Sequence, residues 1–147
     1  MNKRKVILIV NTSNDHREEL KEEFSQSFQV LESLFLSNAD MLLRESFMSI
    51  AALFIEISDN AVLYEPLLEK ITSFAQSKYI PVFFYLKETT EKALTRAYSL
   101  KVDNVFPFEL DLYSINRCVR STYEIYRSKW EIDLLLSEQK EQRGIQN

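Results

Sequence analysis

Five short apolar runs, each followed by a longer segment of helical period, most narrow what this chain can fold into. The runs are Val6–Val10, Phe28–Leu31, AALFIEI at 51–57, YIPVFFYL at 79–86 and VDNVF at 102–106. They are too short for buried helices. Most are apolar on successive residues instead of alternating, the pattern of strands covered on both faces. Phe28–Leu31 is shorter and more polar, which places it nearer a sheet edge. Strands that alternate with helices imply a mostly parallel sheet between two helical layers. The expected fold class is therefore α/β, a five-stranded parallel sheet in a three-layer sandwich.

The intervening segments carry helix signals. Asn14 or Asp15 can cap a first helix with Leu20 and Phe24 as its apolar stripe, and Glu18 and Glu19 suit its first turns. Asn38 is expected to cap a second, carrying Met41, Leu42, Phe47 and Met48. In the third, Leu63, Leu67, Leu68, Ile71 and Phe74 recur at helical spacing within 61–77. Pro66 costs about 3 kcal/mol in a helix interior, so that helix should start near it. Glu88–Leu100 reads as a fourth. The last begins near Leu112 and runs past Ser137, with Ile115, Val119, Thr122 and Tyr126 turned to the sheet.

Several function classes are disfavoured by composition. A length of 147 residues suits one domain. One Gly and three Pro exclude Gly-rich phosphate loops, which need several glycines for close backbone approach. With Cys118 alone no intrachain disulfide forms, and a cytoplasmic location is expected. The basic NKRK at 2–5 precedes only five apolar residues, so the core of a signal peptide is missing. No run approaches bilayer length, and no membrane partner is expected. A net charge of −4 without a basic stripe argues against nucleic acid.

Sheets of this kind place their sites outside the carboxyl ends of the strands. Those ends are Asn11 to Ser13, Glu56 to Asp59, Leu86 to Glu88 and Pro107 to Glu109. Magnesium wants carboxylates in octahedral array. This rim offers Glu56, with Asp59 at most beside it and neutral oxygens from Asn11 and Thr12. A hydrolase needs nucleophile and base within hydrogen-bond reach. The only histidine, His16, reads as a surface residue of the first helix, and Cys118 lies in mid-helix. No catalytic residue, metal or cofactor is expected. Glu56 interrupts an apolar strand: it is either a buried carboxylate, which needs a partner or a raised pKa, or an acid at the strand's exposed, hydrated tip.

The stretches VILIVNTSNDHREEL, ALFIEISDNAVLYEPLLEKI, IPVFF and LKVDNVFPFELDLYSI stand in a familiar order. Over roughly residues 4–127 the chain resembles the receiver domain of two-component response regulators. The resemblance implies a flavodoxin-like, doubly wound (βα)5 fold with an extended C-terminal helix. In that family an aspartate ending the third strand takes a phosphoryl group; Glu56 holds its place. Asn11 and Thr12 match the two acids that help bind magnesium. Leu86 matches the hydroxyl residue that senses the phosphoryl group, and Phe108 the lysine that bonds it. Val105 matches the aromatic switch, and Glu109 the proline after the lysine. Every chemical position departs, so the resemblance implies a pseudo-receiver that is not phosphorylated. Glu56 is then a remnant or structural acid, since the groups that would read a phosphate mimic are replaced.

The expected division is a receiver-like domain at 1–127 and a helical extension or linker at 128–147. Trp130, Leu134 and Leu135 would be exposed there unless covered. The extension could be a stalk joining two protomers, a segment folded back on its own domain, or the tail of a longer parent. By carry-over from the family, Asp103 with Arg117 or Arg120 could make dimer contacts. The expected function is a phosphorylation-independent signalling module acting through protein–protein contact and homodimerisation. It would regulate an attached or separate output domain. The alternative is a small-molecule or metal-binding domain using the strand-end crevice.

Overall fold

The computed structural model describes residues 4–11 and 16–146, with side chains for 4–10 and 16–143. In chain order the elements are β1 (Val6–Asn11), α1 (Arg17–Phe24), β2 (Gln29–Ser33), α2 (Leu36–Ser46), β3 (Ile50–Ile57), α3 (Pro66–Ser77), β4 (Val82–Leu86), α4 (Glu91–Ser99), β5 (Asn104–Pro107) and α5 (Leu112–Gln146). All strand pairs are parallel, and the sheet order is β2-β1-β3-β4-β5. This is the flavodoxin-like order, with its switch point between β1 and β3.

Alternation along the strands sorts the core into two layers. Leu8, Val10, Leu53, Ile55, Ile57, Phe84 and Leu86 face one way, onto α2, α3 and α4. Ile7, Ile9, Phe54, Phe83, Tyr85 and Phe106 face the other, onto Leu20 and Phe24 of α1 and Ile115 and Val119 of α5. The second layer is strongly aromatic, linked by the ring pairs Phe24–Phe54, Phe54–Tyr85 and Phe83–Phe106 at 5.0, 5.6 and 5.8 Å.

Local chemistry sets the boundaries, and some differ from those read in the sequence. Pro66 opens α3, as its fixed φ and missing N–H favour. A short 3-10 turn, Asn60–Tyr64, precedes it, and the Asp59 carboxylate caps that turn by accepting from the Ala61 N–H at 2.9 Å. Asn38 does not cap α2. Phe35 is the N-cap, and burial of Leu36, Ala39 and Leu43 at spacings of three and four places Asn38 on the exposed side. Met41 and Met48 are exposed, and Phe47 and Met48 lie in a 3-10 turn instead of α2. The Asn14 and Asp15 caps lie outside the described residues; α1 has His16 at its N-cap position.

With a single glycine in the chain, two helix exits pass through the left-handed region on other residues. Tyr79 after α3 and Lys101 after α4 have φ of 59° and 60°. Each costs on the order of 1–2 kcal/mol. The Gln76 amide holds the second exit by donating to the carbonyls of Leu100 and Lys101 at 2.9 and 2.8 Å.

Candidate functional site

The carboxyl ends of β1, β3, β4 and β5 converge on one edge of the sheet. Asn11 ends β1 in register with Glu56 of β3, and Glu56 is in register with Tyr85 of β4. Thr12 lies outside the described residues. Glu56 is not at an exposed tip: Ile57 carries β3 one residue past it, and its relative exposure is 0%. Strand alternation turns it to the same face as Phe54.

Beside it stands an aromatic group. Tyr85 and Phe108 lie 4.3 Å apart, and His16 packs edge-on against both, at 4.7 Å from Phe108 and 5.6 Å from Tyr85. The Tyr85 hydroxyl donates to the Phe108 carbonyl at 3.4 Å, a long bond. His16 is therefore a half-buried part of this edge instead of a bystander on the α1 surface, and its Nδ1 lies 3.5 Å from Glu19. The Tyr85 phenol is pushed up to about 12 by burial first, then by the charges of Glu56, Glu19 and Glu109. It stays neutral at pH 7, in a negative field.

Not all the sequence-derived positions meet here. Glu56 and Phe108 come together through Tyr85. Leu86 and Val105 belong to the opposite layer, among the apolar residues under α2, α3 and α4. Asp59 is occupied in its cap. Among the described residues, no three His, Cys, Asp or Glu side chains are grouped to hold a metal ion. Sequence reading missed Tyr85 and placed His16 on the helix surface. The available signal was that Tyr85 is the only side chain with a polar tip in β4.

At the other end of the sheet, α5 continues without a break through Arg127 to Gln146. At 1.5 Å per residue its 35 residues span about 52 Å. Its first half covers the sheet. Towards its far half it is held by groups at the amino-terminal ends of the strands. The Tyr123 hydroxyl donates to the Arg4 carbonyl at 3.0 Å. The Tyr126 hydroxyl donates to Asp103, whose second oxygen accepts from the Val82 N–H at 2.8 Å. The Arg4 guanidinium donates to the Tyr79 carbonyl at 3.0 Å and lies over the Trp130 ring, 4.7 Å from its centre. The Tyr79 hydroxyl donates to Asp133.

Of the residues expected at an interface, Leu135 is exposed and Leu134 half-buried. Trp130 is half-buried against its own domain, and both Asp103 oxygens are engaged within the chain. Arg117 and Arg120 are exposed on α5. Burial pushes the Asp103 carboxyl up, against the opposing bonds from Tyr126 and Val82.

A doubly wound parallel sheet in the order 2-1-3-4-5, with its strand-end edge at the β1/β3 switch point, is the flavodoxin-like fold, which receiver domains share. Solved structures agree. A CheY-like response regulator receiver domain from Methanospirillum hungatei JF-1 superposes with a TM-score of 0.71 at 11% identity, covering 86% of this chain and 99% of that one. The signal receiver domain of an HD domain-containing protein from Pseudomonas fluorescens Pf-5 gives 0.69 at 15%, covering 86% and 99%. A chain in which a trimeric coiled coil of yeast Spc42 is fused to another structure gives 0.71 at 16%, covering 99% and 95%. At these identities the likeness is one of fold. No protein-family model and no curated protein matches the sequence.

Proposed function

We propose that the chain is a receiver-like signalling module that works without phosphorylation, through protein–protein contact, as a homodimer. It is not an enzyme, it resides in the cytoplasm, and it regulates an output domain attached to it or carried by a separate protein. Residues 1–127 form the signalling body and 128–147 the helical extension or linker. The observation that carries this reading is the aromatic packing beside Glu56. Phe108 stands where the family places a lysine, in contact with Tyr85, and neither ring can bond a phosphoryl oxygen as an ammonium does.

The surroundings support the same reading. Glu19, Glu56 and Glu109 all act on the Tyr85 phenol, so an incoming phosphate anion meets negative charge. Two neutral residues, Asn11 and Thr12, replace the carboxylates that would bring magnesium to offset it. Leu86 and Val105, the counterparts of the sensing hydroxyl and the aromatic switch, are apolar core residues with no group that reads charge.

The test is incubation of the full chain with a small phosphodonor and Mg²⁺, followed by intact mass. The expected result is an unchanged mass. A stable gain of one phosphoryl group overturns the proposal.

A further inference from the structure

Beyond the sheet, α5 has two opposite faces. Tyr123, Tyr126, Trp130 and Asp133, spaced three, four and three apart, make the contacts with the domain described above. At about 100° per residue, Ile125, Ile132, Leu135 and Leu136 fall on the far side of the helix. They are 56, 57, 55 and 51% exposed. Four large apolar side chains on one stripe, in a helix already anchored by its other face, are an unpartnered surface.

The stripe has the grammar of a coiled coil. With Ile125 and Ile132 at position a of a heptad, Ser128 and Leu135 fall at d. The docked residues Tyr123, Tyr126, Trp130 and Asp133 then take f and b, the positions that face away from a partner helix. Isoleucine at a with leucine at d favours two strands. The flanking charges choose an orientation: position g is Glu124, Glu131 and Glu138, and position e is Lys129, Leu136 and Arg143. In a parallel pair Glu124 meets Lys129 and Glu138 meets Arg143 of the other copy. In an antiparallel pair g meets g and e meets e, which sets glutamate against glutamate and lysine against arginine.

We infer that the occupant of this stripe is the same stripe of a second copy, in a parallel, in-register two-stranded coiled coil centred on Ile132 and Leu135. This rests on the homodimeric reading above and gives it a surface and a direction. The seam is short, but its helix is continuous with the docked part of α5. Pairing therefore does not carry the nucleation cost that makes an isolated helix of this length marginal in water. Glu124 and Glu131 are held by Arg127 at 3.4 and 3.3 Å on the exposed surface, pairs weak enough to exchange. The two domain bodies then lie on the outside of the stalk, at the same end, with their strand-end edges unobstructed by it.

The experiment is light scattering of the full chain across a concentration series, with Ile132→Glu/Leu135→Glu and Trp130→Ala compared under the same conditions. The expected masses are twice 17.4 kDa for the parent and Trp130→Ala, and 17.4 kDa for the double variant, whose far-UV circular dichroism stays that of a folded domain. Separately, Ile132→Cys and Leu135→Cys in a Cys118→Ala background should each oxidise to a disulfide-linked pair. A parent mass of one or three chains overturns the inference, as does failure of both cysteines to link. A double variant that stays dimeric also overturns the seam while leaving homodimerisation intact. The phosphodonor experiment is unaffected by any of these outcomes.

Discussion

The two ends of the parallel sheet use polar and aromatic groups in opposite ways. At the carboxyl end, where this fold gathers its chemistry, Tyr85, Phe108 and His16 pack ring against ring beside a buried Glu56. At the amino end, Tyr79, Tyr123 and Tyr126 use their hydroxyls, each finding an acceptor between α5 and the sheet. The carboxyl end thus packs rings beside a buried acid, and the amino end forms a polar lock that fixes the direction of a long helix. What this teaches is which end of the sheet anchors the long helix: the amino end, through hydroxyls that cross from one element to another.

The contrast can be broken by four sets of substitutions. The largest effect is expected for Tyr85→Ala, which removes a fully buried ring and should cost about 3–5 kcal/mol in chemical denaturation. Tyr85→Phe should stay within about 1 kcal/mol, because its hydroxyl makes only one long bond. If the two variants were equally harmful, the carboxyl end would be a polar site after all.

Next is Tyr126→Phe, which deprives a partly buried carboxylate of a donor and should cost about 1–3 kcal/mol at pH 7. Asp103 also sets a pH dependence. Its folded-state value lies above the ordinary 3.8, so between those two values the folded state binds more protons than the unfolded. Its contribution to stability therefore falls as pH rises through that window, and is constant beyond it. Asp103→Asn should flatten that part of a stability–pH profile.

Trp130→Ala removes the ring beneath Arg4 and should cost about 0.5–2 kcal/mol, read as a lower Tm.

The smallest effect is expected for Glu32→Gln, at about 0.5–1 kcal/mol. Glu32 ties β2 to Arg17 and Lys21 of α1 at 2.6 and 2.8 Å. Burial pushes its carboxyl up, but the bonds from Lys21 and Arg17 outweigh this and hold it below the ordinary range. Its contribution is present above the usual glutamate value and lost as pH falls through the folded one.

Much of the fold was legible from the chain. The five strands and five helices, their order and the start of α3 at Pro66 follow from periodicity and from proline's missing donor, both local properties. Boundaries slipped where a tertiary contact outweighed a local preference. Asn38 is a good cap by type, yet burial of Leu36 started α2 earlier. Phe47 and Met48 fit a helical stripe but sit in the tight turn that delivers the chain into β3. At the candidate site, the residue types of Glu56, Leu86 and Phe108 and their places at the strand ends could be read in the sequence. That His16 leans onto Phe108, and that Leu86 faces the other layer, could not.

By itself, then, the sequence determined an alternating α/β chain and the residue types at its strand ends, because hydrophobic period and side-chain chemistry are written in neighbouring residues. Tertiary structure alone decided how those ends pack and which side of α5 is left open. Arg4 meets Tyr79 across 75 positions and Tyr123 across 119, and such meetings depend on sheet register and helix direction. Trp130 shows the consequence. In sequence it reads as exposed interface; in the fold it faces its own domain, and Ile125, Ile132, Leu135 and Leu136 are apolar side chains that α5 leaves exposed.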